Sequence, residues 1–188
     1  MSEPISTILE RHELFKRLSD AERDKLCTIG RVRSLKASTV LFRQDEASSD
    51  MFLLVEGSVK LSRLNRSGQS FVLARLQQDD LFGDLETLDG GLRAVTAETA
   101  SDCVLVQFEA SEFRALLARQ DRAALQLLYL LCIDASKRLR ELNRALVDVL
   151  NEPAALTPRL SVASARPDSD FFNGLLAGLF APVRGRHE

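Results

Sequence analysis

The chain has 188 residues, 45% hydrophobic and 28% charged, which suits one globular domain with an appendage and allows a sizeable core. Its formal net charge of −2 gives no bulk electrostatic reason to bind nucleic acid, so DNA binding would require a local basic surface. The opening MSEPISTILERHELF lacks a basic n-region and a long apolar h-region, and no apolar run reaches membrane-spanning length, so a cytoplasmic protein with no membrane span is expected.

In chain order, Ile8, Leu9, Leu14, Phe15, Leu18, Leu26 and Ile29 recur at helical spacing. Ser19 followed by Glu22 is a capping-box signal that starts a second helix. The period then changes. STVLFR, DMFLLVEGSVKLSRL, SFVLARL, AVTAET and CVLVQF are short, rich in β-branched and aromatic residues, and divided by Gly, Asp, Ser and Asn. NRSG, Asn65 to Gly68, reads as a hairpin turn between two of them. Such strands predict a small barrel or double-sheet roll.

Helix returns from Glu109. Leu128, Cys132, Ala135, Leu139, Leu142, Leu146 and Val149 alternate spacings of four and three, a heptad seam that suits a partner helix. The competing reading packs this stripe on the protein's own barrel. Residues 151–170 carry Pro153, Pro158 and Pro167 among small side chains and read as a flexible linker. In residues 171–188, Phe171, Phe172, Leu175, Leu176, Leu179 and Phe180 line one face of a short helix. That helix either docks on a partner protein through 171–182 or folds back on its own domain. Cys27, Cys103 and Cys132 sit among apolar neighbours without metal-ligand spacing, so buried reduced thiols and no metal are expected.

The stretch LFGDLETLDGGLRAVTA, Leu81 to Ala97, stands apart. Gly83 permits positive φ or close approach of backbone to a ligand. A helical turn after it would offer backbone N–H groups to an anion. Arg93 presents a planar fork suited to phosphate, and Asp84 is an acceptor for sugar hydroxyls. A nucleotide satisfies all three. The simpler reading keeps Asp84 as a helix-start acid and pairs Arg93 with Asp79, Asp80 or Asp89.

From about Leu14 to Val149 the sequence resembles the cyclic nucleotide-binding domain of catabolite-activator-type regulators, protein kinase A regulatory subunits and gated ion channels. LFKRLSDAERDKL resembles the family's entry helices, and VLFRQDEASSDMFLLVEGSVKLSR its strand–turn–strand with Gly57 in place. LFGDLETLDGGLRAVTA resembles its phosphate-binding cassette, with the family's interval from acid to arginine. The resemblance implies an α+β fold: a β-roll (a double-stranded β-helix, or jelly-roll barrel) flanked by N-terminal helices and a long C-terminal dimerisation helix. The domain would span 8–150, with the long helix over 121–150. It further implies that Arg93 binds the cyclic phosphate with backbone N–H groups around Gly83, Leu85 and Ala94. Asp84 would receive the ribose 2′-hydroxyl, and Asn143 would face the base.

Several positions depart from that pattern. Asp84 replaces a glutamate, Glu86 adds a carboxylate where small residues are usual, and Leu92 replaces a proline. Asp45 and Ser48 stand where glycines are common. Ala94 lacks the hydroxyl linked to cyclic GMP preference, which favours cyclic AMP as ligand. No basic recognition helix follows Leu150, so a DNA partner is not expected. His12 and His187 lack a nucleophile or metal partner nearby, and no catalytic residue or cofactor is expected. The function implied is a homodimeric cyclic-nucleotide sensor, joined through Leu128 to Val149 and acting on a protein partner. The alternative is a dimeric adaptor whose pocket has lost its ligand.

Overall fold

The structure is a computed structural model, and it describes residues 3–47 and 50–151. The chain divides into two compact units, Met1–Leu139 and Arg140–Glu188. The linker and tail expected over 151–170 and 171–188 lie almost wholly outside the described residues, as does Ser48.

The first unit opens with α1 (Ile5–Arg11), a 3-10 turn over Phe15–Arg17 and α2 (Asp20–Cys27). Ser19 and Glu22 form the expected capping box: Ser19 Oγ accepts from the Glu22 amide and the Glu22 carboxylate accepts from the Ser19 amide. Among the described residues eight strands follow: β1 (Gly30–Leu35), β2 (Val40–Phe42), β3 (Met51–Glu56), β4 (Val59–Leu64), β5 (Ser70–Leu76), β6 (Leu81–Phe82), β7 (Thr96–Thr99) and β8 (Cys103–Phe108). They form two four-stranded antiparallel sheets, ordered β1-β8-β3-β6 and β2-β7-β4-β5. This is the expected β-roll. Asn65 closes the β4–β5 hairpin, its side-chain oxygen accepting from the Ser67 and Gln69 amides.

One strand escaped the sequence reading: β1 is an edge strand whose sequence, GRVRSL, sets arginines between its apolar residues and carries too little apolar pattern to register. β6, two residues long, is the strand end that leads into the short helix after Gly83.

Strand β3 explains how the sheets are layered. Met51 to Val55 are all buried, because alternate residues feed two cores. Met51, Leu53 and Val55 join the helix-side core with Ile8, Phe15 and Phe108, whereas Phe52 and Leu54 fill the roll between the sheets.

The helical stretch from Glu109 divides at Gln120, φ 56°, into α4 (Ala110–Ala118) and α5 (Arg122–Asn151). On α5, Ala123, Ala124, Leu127, Leu130 and Leu131 enter the helix-side core. The heptad seam lies elsewhere: Cys132, Leu139 and Leu142 are exposed and Leu128, Ala135 and Leu146 half-buried. The stripe that packs on the roll is therefore a different one from the seam. The cysteine expectation needs correction. Cys103 is buried, but Cys27 is half-buried and Cys132 exposed, because Cys132 lies away from the Leu127–Leu131 face.

Candidate functional site

Between β6 and β7 the chain builds the cassette around a six-residue helix, α3 (Asp84–Asp89). Gly83 precedes it at φ 73°, and a Cβ there would lie 2.7 Å from Arg93 Nη1 and 2.8 Å from the Asp50 carbonyl. Glycine is required on both counts, conformation and close approach. Gly90 closes α3 in the same left-handed region, its amide donating to the Glu86 carbonyl.

The turn between β2 and β3 clasps the backbone of Arg93. The Arg93 amide donates to the Glu46 carbonyl at 3.0 Å, and the Asp45 amide donates to the Arg93 carbonyl at 2.8 Å. Asp45 adopts φ 64°, the conformation that makes glycine common there.

The Arg93 side chain is fully buried, at 0% exposure. Its guanidinium carbon stands 3.9 Å over the centre of the Phe42 ring. Nη2 donates to the Asp50 carbonyl at 2.6 Å, and Nη1 to the Gly83 carbonyl and to Glu86 Oε2, each at 3.2 Å. The other carboxylate oxygen, Glu86 Oε1, accepts from the Ala94 amide at 2.9 Å. One carboxylate thus joins the arginine fork to the next backbone N–H. Burial pushes the Arg93 guanidinium below its ordinary value, opposed by the charges of Glu86, Asp50 and Glu46, and it stays a cation at neutral pH.

Asp84 is 2% exposed and its carboxylate accepts from Nη2 of Arg138, which reaches in from α5. Arg138 also pairs with Asp134 one turn earlier at 3.1 Å. Burial disfavours the Arg138 charge, but the hydrogen bond and charge of Asp84, joined by Asp134, outweigh it and raise the pKa. Arg63 on β4 donates to the Ala94 carbonyl at 2.6 Å.

The structure therefore gathers Gly83, Asp84, Arg93 and Ala94 at one place. Leu85 is exposed on α3, and Asn143 is exposed on α5 within the second unit. The pairing of Arg93 with Asp79, Asp80 or Asp89 is not the one found, since the acid at its fork is Glu86. Sequence reading missed Arg138, Phe42 and the Asp50 carbonyl. Arg138 lies 54 positions from its partner, and nothing local marks it. Among the described residues, no three His, Cys, Asp or Glu side chains are grouped to hold a metal ion, and no helix is long and apolar enough to cross a membrane.

The family model for the cyclic nucleotide-binding domain matches residues 32–120, from β1 through the cassette to the end of α4. Over those residues the chain carries a cyclic nucleotide-binding domain. It is 33% identical over 87 residues to a cAMP-dependent protein kinase regulatory subunit of Mycosarcoma maydis, covering 46% of this chain and 16% of that protein. It is 30% identical over 128 residues to the cyclic AMP receptor protein of Thermus thermophilus, covering 68% and 57%. Among solved structures, the Thermus thermophilus catabolite activator protein matches with a TM-score of 0.63 at 28% identity, over 73% of this chain and 62% of that one. The regulatory domain of Toxoplasma gondii PKA with cAMP matches with a TM-score of 0.54 at 25% identity, over 60% and 42%. The chain thus spans less than two thirds of each of these relatives. Within the cyclic nucleotide-binding domain, the cassette holds both charged side chains on which the resemblance rested, and each has an internal partner.

Proposed function

We propose that this domain binds a cyclic nucleotide, cyclic AMP in preference to cyclic GMP, and reports its presence through α5 to a protein partner. The observation that carries this reading is the convergence of Arg93, the Ala94 amide and Asp84 on the cassette around Gly83. Phosphate takes the arginine fork and the amide, and the ribose 2′-hydroxyl takes Asp84. Cyclic AMP is preferred because Ala94 offers no hydroxyl, and proteins similar to this chain are cAMP-named regulators.

Asp84 links the ligand to α5. A ribose hydroxyl at that carboxylate competes with Arg138, so the ligand favours the arrangement of α5 in which the Arg138 contact is weakened. The protein works as a cytoplasmic regulator that is neither enzyme nor DNA binder, with a homodimer joined along Leu128 to Val149. A second reading, a dimeric adaptor without ligand, draws support from the same contacts: Glu86 and Arg138 already satisfy both charged groups.

Titration calorimetry separates the two. Cyclic AMP should bind the full chain more tightly than cyclic GMP, and hydrogen exchange at α5 amides around Arg138 should change when it binds. Arg93→Lys keeps the charge but loses the fork, and should weaken binding by about tenfold or more. No heat and no change in melting temperature at millimolar cyclic AMP or cyclic GMP would overturn the sensor reading in favour of the adaptor.

A further inference from the structure

The position of Glu86 bears on the affinity of this same site, and its role there rests on the proposed cyclic-nucleotide reading. Its two carboxylate oxygens divide between Arg93 Nη1, at 3.2 Å, and the Ala94 amide, at 2.9 Å. Those are two of the donors assigned above to the cyclic phosphate. A carboxylate and a phosphate offer a cationic fork and a neighbouring N–H the same thing: two adjacent anionic oxygens. Glu86 is 7% exposed, so this contact lies within the protein rather than on a solvated rim.

We infer that Glu86 is a tethered anion seated where the cyclic phosphate binds, and that its displacement sets the affinity of the pocket. Two anions cannot share those donors at contact distance, because their repulsion at short range in a poorly screened site exceeds what one arginine offsets. Ligand must therefore move the Glu86 side chain off Arg93 and Ala94. Each part of the competition has a visible source. Arg93 keeps the Gly83 and Asp50 carbonyls whichever anion is bound, so the fork stays aimed while the anion exchanges. α3 supplies the tether, since Glu86 lies in its first turn. If the carboxylate leaves the donors a tenth of the time or less, the apparent affinity is reduced by about tenfold or more.

The test measures two probes on the full chain, cyclic AMP by calorimetry and inorganic phosphate by thermal shift. Glu86→Ala opens the donors. Glu86→Gln keeps an acceptor but removes the charge, and carries the test if the alanine variant does not fold. Asp89→Asn removes the same charge from an exposed position on the same helix while keeping its acceptor for the Gly91 amide. Glu86→Ala should bind cyclic AMP about tenfold or more tightly than the wild type, and phosphate should raise its melting temperature but not that of the wild type. Glu86→Gln should fall between the two, and Asp89→Asn should match the wild type.

Unchanged or weaker cyclic AMP binding in both Glu86 variants, beside a wild type that binds, overturns the tethered anion and leaves the sensor reading standing. An equal gain in Asp89→Asn also overturns it, because the effect would then be one of general charge. If the Glu86 variants respond to phosphate while no form binds a cyclic nucleotide, the tethered anion stands and the cyclic-nucleotide reading falls. If no form responds to either probe, both fall.

Discussion

Removing a guanidinium from water costs several kcal/mol, and Arg93 offsets that cost with one carboxylate, two carbonyls and the face of Phe42. Such an arginine cannot be moved without disturbing its acceptors, and Gly83 is where the fit is tightest. Any side chain at Gly83 must take a left-handed φ and press on Arg93 Nη1 and the Asp50 carbonyl, the latter being backbone that cannot step aside. Gly83→Ala should lower unfolding free energy by about 2 kcal/mol or more, measured by urea denaturation, since positive φ and a backbone clash act together. At this scale the sequence was partly legible. A glycine, an acid and an arginine at that interval pointed to residues that the fold brings together. The acid at the fork was less accessible, because Glu86 is one of several carboxylates nearby and only three-dimensional placement selects among them.

At the scale of elements, local rules did most of the work. The capping box of α2 was read from Ser19 and Glu22, and both of its hydrogen bonds are present. Hydrogen bonds from the Ser19 backbone and hydroxyl hold the Glu22 carboxyl below its ordinary value, with help from Arg122. A carboxyl whose folded pKa is depressed stabilises the fold above its unfolded pKa and loses that contribution as pH falls through the folded one. Stability should therefore decline as pH drops below the ordinary glutamate value of 4.5, and Glu22→Gln should flatten that part of the profile. Ser19→Ala should cost about 1 kcal/mol in chemical denaturation at neutral pH. Strand β1 shows where local rules fail. With arginines between its apolar residues it looks like surface loop, and it becomes a strand because β8 offers it a six-residue partner register.

At the scale of the whole molecule, α5 presents exposed apolar groups. Leu139 and Leu142 are 48% and 49% exposed, and Tyr129 and Val147 are exposed as well. The proposed homodimer would bury the Leu139 and Leu142 positions against a second copy. Leu139→Glu with Leu142→Glu should then give a monomer by sedimentation velocity while leaving the thermal transition of the roll in place. A wild-type monomer at high micromolar concentration would remove dimerisation from the proposed mechanism.

The sequence by itself determined the kind of each long element and the cassette with Gly83, Asp84 and Arg93 in it, whereas the burial of β3 on both faces came from the packing of two cores. The element kinds and the cassette follow from period, capping and backbone conformation, which are properties of neighbouring residues. Tertiary structure alone decided which groups those charges meet. Asp84 takes Arg138 from 54 positions away, and the Arg93 fork turns inward to Glu86 and the Asp50 carbonyl. Ion pairing depends on distance and burial after packing, so a sequence rich in carboxylates can name the candidates but not the partner.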